Sequence, residues 1–222
     1  MPVTTDVESG PFSATLRAST LPAHERANHS EYMNALLGGE LTRDGYTRLA
    51  IQYYFIYQAI EQAADKLAKD PVAGKFVFEE LRRLPSLERD LEHLVGPDWR
   101  ETIRPLPSTE RYARRVAEAS DWSGGFVAHH YTRYLGDIAG GQVIRRLLER
   151  KYELTEAGSL FYHFDQLGSA PKFRDNYREQ LNAAPWSEGE RARLIEEAIV
   201  AFECNIAVFD ELASELDEYR AA

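Results

Sequence analysis

The chain has 222 residues, 44% of them hydrophobic, with 26 Lys and Arg against 36 Asp and Glu for a net charge of −10. That length carries one large domain, or two small ones, around a core that needs no covalent staple, and the negative balance argues against a general binder of nucleic-acid phosphates. One cysteine, Cys204, permits no intrachain disulfide and suits a reducing cytoplasm, no apolar run approaches the ~18 residues of a membrane span, and Met1 to Gly10 lacks the features of a signal peptide.

In chain order, residues 1–11 are expected to be disordered, and the remainder, 12–222, reads as one all-helical (all-α) domain. Pro22 marks a helix start or a kink. From Thr42 to Lys69, apolar residues recur at three and four spacing (Leu49, Tyr53, Ile56, Tyr57, Ile60, Ala64, Leu67), the stripe of a helix with one buried face. Thr42 is its expected N-cap. Shorter helices are expected at 74–84, 86–95, 108–121, 124–151 and 172–182, punctuated by Pro85, Gly96-Pro97, Pro105, Pro107, Pro171 and Pro185. Ser187 and Glu190 form a capping box that opens a final helix of about 30 residues. No alternating strand pattern of useful length occurs.

Charge is uneven. Residues 187–222 hold ten acids against three arginines, whereas residues 145–178 carry seven bases against five acids. A local basic surface on an acidic chain can hold an anionic ligand, although solvated helix faces give the same pattern.

Two segments carry chemistry. In Thr15 to Met33, His24 shares a helical side with Ala27 and Glu31, which would offer an imidazole from a partly apolar face. One His can ligate a metal or a haem iron, though an isolated His is more often structural. His29 is five residues on, not four, so the two do not make a helical zinc pair. In Val127 to Leu148, helical periodicity runs through Gly136, Gly140 and Gly141, which together cost ~3 kcal/mol relative to alanine. Something must require bare backbone there, either tight helix packing or the close approach of a flat ligand. Asp137 is the only acid between Asp121 and Glu149. A dinucleotide loop does not fit, because the order is G-x-x-x-G-G and no strand precedes it. His129 and His130 are adjacent, so they point ~100° apart and read as structural.

Tyr131 to Gln142, YTRYLGDIAGGQ, closely resembles the distal-helix signature of the haem (heme) oxygenases, and Ala23 to Met33, AHERANHSEYM, resembles their proximal segment. YFIY at Tyr54 to Tyr57 with Glu61 one turn on, KFRDNYR at Lys172 to Arg178 and AFxxNIxxF at Ala201 to Phe209 extend the likeness from about residue 12 to residue 216. With no hydrophobic tail before Ala222, the chain is similar to the soluble bacterial members, and no membrane anchor is expected.

The resemblance implies a fold in which haem lies between a proximal helix and a Gly-rich distal one. It implies His24 as axial ligand to the haem iron, with Gly136, Gly140 and Gly141 on the helix that passes over the ring. Asp137 then anchors a water network that delivers protons without binding the iron, with Tyr57 and Arg133 as partners. Arg17, Arg174, Arg178 and Tyr131 match propionate contacts, which orient the ring and so select the carbon that is attacked. Phe202 and Asn205 match pocket positions on the last helix, while Met33 and Phe209 read as core. Asn28 departs from the carboxylate that many members carry four residues after the ligand, and Arg17 and Arg174 stand where Lys is frequent.

The activity implied is O2-dependent cleavage of haem, both substrate and cofactor, to biliverdin, ferrous iron and CO, serving iron acquisition or haem disposal. With no flavin or iron–sulfur motif, electrons must come from a separate protein, for which a ferredoxin or flavin reductase is the expected type. The alternatives are a non-catalytic haem carrier or sensor, which would not require Asp137, and a helical di-iron oxidase or thiamin hydrolase. The di-iron bundle wants two Glu-x-x-His motifs, which are absent, and the hydrolase would need Cys204 as nucleophile, a residue that reads as core.

Overall fold

Helix accounts for the regular structure among the described residues, 10–154 and 157–221 of the computed structural model, and the one β-type pairing there is an isolated bridge between Leu41 and Arg220. Residues 1–9, most of the stretch expected to be disordered, lie outside the described residues. The first helix, α1 (Phe12–Asn28), begins where the Pro11 carbonyl accepts the N–H groups of Ala14 and Thr15 at 2.8 and 3.3 Å. Pro22 lies inside α1 and does not start it; Pro supplies no N–H to the preceding turn, where the Thr20 hydroxyl donates to the Leu16 carbonyl at 2.9 Å. In α2 (Glu31–Gly38) the Ser30 side chain caps the first turn and Gly39, at φ 70°, ends the last.

Helix α3 (Arg43–Leu67) runs through the middle of the molecule. Thr42 caps it as expected, accepting from the Gly45 N–H, and Leu49, Tyr53, Ile56, Tyr57, Ile60 and Ala64 are all buried along its length. The helix expected at 74–84 is instead two 3₁₀ turns, Ala73–Phe76 and Glu79–Leu81, separated by extended backbone at Val77 and Phe78. The cause is tertiary. The Phe78 ring packs on Phe173, Tyr177 and His130 at 5.0, 5.9 and 6.3 Å, while buried Glu61 accepts the backbone N–H groups of Arg83 and Leu84 at 2.5 and 3.1 Å and so sets the start of the next helix.

That helix is α4 (Leu84–Val95), followed by α5 (Trp99–Thr102) and α6 (Pro107–Ala119). The single helix expected over 124–151 is divided: α7 (Ser123–His130) passes through a π-helical turn, Tyr131–Leu135, into α8 (Gly136–Lys151). A π turn inserts one residue and rotates the helix downstream of it, a distortion concentrated at functional sites. Then come α9 (Ala170–Ala183), α10 (Glu188–Ala213), opened by the complete Ser187–Glu190 capping box, and α11 (Leu216–Tyr219). The last long helix is shorter than expected because the chain breaks at Ser214 and turns back, where the Tyr219 carbonyl accepts the Thr42 N–H at 2.7 Å. One buried apolar cluster extends from Phe12 to Leu216, with α10 packed along α1 and against α6 and α7.

Candidate active site

His24 projects from the exposed side of α1. Its ring meets the edge of Phe202, on α10, at 5.9 Å and 87°, and the Asn28 amide nitrogen lies 3.4 and 3.3 Å from its two ring nitrogens. Across a cleft stand the π turn and α8. The cleft has two lobes, of about 250 and 320 Å³, and His24, Thr132, Gly136, Ala139 and Phe202 line both.

The three glycines divide into two kinds. A Cβ built on Gly136 or Gly140 would meet nothing within 4 Å, whereas one on Gly141 would come 3.0 Å from the Tyr162 ring. Gly141 therefore permits close packing. Gly136 and Gly140 present bare backbone to open space opposite an imidazole, an arrangement that serves a flat ligand and leaves their helix-propensity cost otherwise unexplained.

The outer lobe is cationic. Arg17 from α1, Arg174 and Arg178 from α9 and half-buried Tyr131 line it together. Arg178 Nη1 is bonded to Asp175 Oδ1 at 2.7 Å, but the buried Nε of Arg174 has no hydrogen-bond partner. Burial raises the Tyr131 phenol above its ordinary value, opposed by Thr20 and by the charges of Arg178 and Arg17. A buried donor without an acceptor calls for one, and two carboxylates at this mouth would supply several.

Behind the inner lobe lies a polar network. The Tyr57 hydroxyl donates to Asp137 Oδ2, Arg133 Nε donates to the Tyr57 oxygen at 3.3 Å, and Arg133 Nη1 donates to Asn205 Oδ1 at 2.7 Å. The guanidinium stacks on Tyr53 at 4.4 Å, and its Nη2 lies 3.6 Å from Asp137 Oδ1 with no hydrogen-bond partner of its own. The Asp137 side chain is 11% exposed, and burial pushes its carboxyl well above the usual range. It can thus hold a proton at a pH where a surface aspartate has released one. Two neighbouring histidines have other partners. His129 Nε2 is 2.9 Å from Glu197 Oε1, and His130 stacks on Tyr177.

Every residue carried over from the sequence therefore lies on the cleft or in the network behind it. Met33 and Phe209 are buried, as expected of core, and also line the inner lobe. Sequence reasoning missed Thr132, Ala139, Tyr53 and Ile144 as lining residues. Helical spacing from Gly136 and Gly140 could have found the first two. The buried Thr132 hydroxyl has no partner.

Residues 10–211 match the family model described as Heme oxygenase. The chain belongs to the haem oxygenase family. It is 37% identical over 205 residues to Heme oxygenase 1 of Homo sapiens, covering 90% of this chain and 71% of that one. With Heme oxygenase of Rhodella violacea it shares 35% identity, covering 90% and 86%. Heme oxygenase-1 of Synechocystis, solved in complex with heme, superposes with a TM-score of 0.89 at 31% identity, covering 94% and 95%. Heme oxygenase-2 from the same organism, solved with heme and NO, superposes at 0.90 and 31%, covering 94% and 87%. As a member of this family the chain is an enzyme that degrades haem to biliverdin. Among the described residues no helix is long and apolar enough to cross a membrane.

Proposed function

We propose that haem binds in the two-lobed cleft with His24 as axial ligand, and that the chain cleaves it with O2 and external electrons to biliverdin, ferrous iron and CO. The observation that carries this reading is the exposed imidazole facing the open Gly136 and Gly140 backbone across one cleft. Among the described residues no three His, Cys, Asp or Glu side chains are placed to hold a bare metal ion. A lone imidazole suits a metal whose remaining ligands arrive with it, as a porphyrin's do. Bound haem would supply both the iron that activates O2 and the carbon framework that is cut.

The chain's own residues have separate tasks. His24 would hold the haem iron, and Arg17, Arg174, Arg178 and Tyr131 would hold the propionates and thereby orient the ring. Phe202 packs against the His24 ring. Asp137 holds a proton at its carboxyl, Tyr57 and Arg133 fix that carboxyl, and the free Arg133 Nη2 is positioned to order a water between the network and the cleft. Asn205 fixes the far side of the guanidinium. Electrons come from a ferredoxin or a flavin reductase, and the free thiol of Cys204 supports a reducing, cytoplasmic setting.

The test is to add haem, then ascorbate or a reductase system, and record the absorption spectrum. Fading of the Soret band with growth of a biliverdin band is the expected result. A haem complex that survives reduction in air would instead identify a carrier of the same fold.

A further inference from the structure

Tyr177, in the middle of α9, is fully buried. Its ring lies parallel to that of His130, with 5.7 Å between centroids and 7° between planes, and its hydroxyl is 2.9 Å from His130 Nδ1. His130 is the last residue of α7, immediately before the π turn. Burial holds its imidazole down at about 3 and raises the Tyr177 phenol well above the ordinary range. The ring is therefore neutral, and the phenol keeps a proton that it can donate to Nδ1.

This contact joins the distal wall to the helix that carries the cationic mouth. Arg174 and Arg178 lie three residues before and one residue after Tyr177, and both line the outer lobe. At its other end α9 is tied to α1, where Asn182 Oδ1 accepts the Ser13 N–H at 2.9 Å. Its remaining ring contacts at Tyr177 are with Phe76 at 5.2 Å, with Phe78 at 5.9 Å and, more loosely, with Tyr131 of the π turn at 6.5 Å. Apolar contact has no direction of its own, so ring packing alone discriminates less sharply between neighbouring registers than a directed bond does. A stacked, hydrogen-bonded pair between residues 47 apart in sequence fixes one register.

We infer that the His130–Tyr177 pair sets the register of α9 against the distal segment, and through it the position of the two guanidiniums that orient the haem. It is a positioning pair for which carbon is cut. This rests on the haem-cleaving function proposed above and adds residues that line neither lobe of the cleft.

The test compares wild type with Tyr177→Phe, which keeps the packed ring and loses only the hydroxyl, and with His130→Gln, which keeps a hydrogen-bonding group and loses the stack. Two readouts are taken: the hyperfine-shifted haem methyl resonances of the cyanide-bound ferric protein, and the biliverdin isomers formed. Tyr177→Phe is expected to fold with an unchanged circular dichroism spectrum, to move the methyl pattern, and to change the isomer ratio by about fivefold, the factor that one neutral hydrogen bond is worth. The double variant should then change the ratio by less than the two single effects combined, because the pair acts as a unit. Unchanged methyl shifts with the wild-type isomer overturn the inference, as do additive effects in the double variant or failure of Tyr177→Phe to fold. Failure of the underlying function looks different: wild type itself would then bind no haem or form no biliverdin.

Discussion

On the α1 and α9 side of the cleft, the groups assigned to haem are largely free. His24 is exposed with only the Phe202 edge and the Asn28 amide beside it, and Arg174 keeps an unpartnered buried Nε. On the α8 side, most of the polar groups behind the glycines are already bound to one another, Tyr57 to Asp137 and Arg133 to Tyr57 and Asn205, with one guanidinium nitrogen of Arg133 left over. The two sides are built for different tasks. Groups that bind a ligand are left with unfilled valence, while groups that move protons must have their geometry set before the ligand arrives. Substitutions on the free side should therefore spare the apoprotein and damage binding, whereas those within the locked polar network should damage chemistry first.

The largest effect is expected at His24. His24→Ala should leave the melting temperature of the apoprotein nearly unchanged, since an exposed side chain contributes within about 0.5 kcal/mol. It should also abolish the absorption spectrum of a His-ligated haem together with turnover, and added imidazole should restore part of both. A variant that binds and degrades haem like wild type would place the ligand elsewhere.

Next comes the glycine face, where stability and binding should move in opposite directions. Gly140→Ala puts a methyl into open space, so thermal unfolding should show the apoprotein gaining up to ~1 kcal/mol of helix propensity. Haem titration should show affinity falling by about tenfold, since the methyl occupies the volume of the ligand. Gly141→Ala should lose stability instead, because its Cβ would meet the Tyr162 ring at 3.0 Å. Undiminished haem affinity in Gly140→Ala would remove the ligand from that face.

At the cationic mouth the order of the effects is informative. Losing a charge-assisted hydrogen bond costs ~1 to 3 kcal/mol. Arg178 must first give up Asp175, so Arg178→Ala should fall at the low end of that range. Arg174→Ala should weaken haem binding more, since its buried Nε has no competing partner. The reverse order in a haem titration would mean that the free donor is not the one that meets the ligand.

The distal motif was legible in the sequence because glycines at 136, 140 and 141 in a helical pattern carry a visible cost, and because Asp137 is an isolated acid beside them. The residues of the cleft came from resemblance, which assigns roles but not distances. The features that stayed hidden were tertiary in origin. The π turn at Tyr131–Leu135 leaves no mark in periodicity read at 3.6 residues per turn. The break at Val77 and Phe78 exists because one ring is claimed by α9 and His130. The separate task of Gly141 depends on Tyr162, which lies 21 positions further along a chain that turns back through 3₁₀ structure. The His130–Tyr177 pair joins ordinary residues from two segments that each read as a separate helix.

The division between a binding side and a proton-handling side is tested most directly by Asp137→Asn. The amide keeps the shape of the side chain and can still accept from Tyr57, but it cannot hold and release a proton. Haem affinity, read by Soret titration, should stay within about twofold of wild type, while the rate of biliverdin formation falls by about 10²-fold or more, the scale of a lost general acid. An Asp137→Asn protein that forms biliverdin at the wild-type rate, or one that fails to bind haem, would contradict that division.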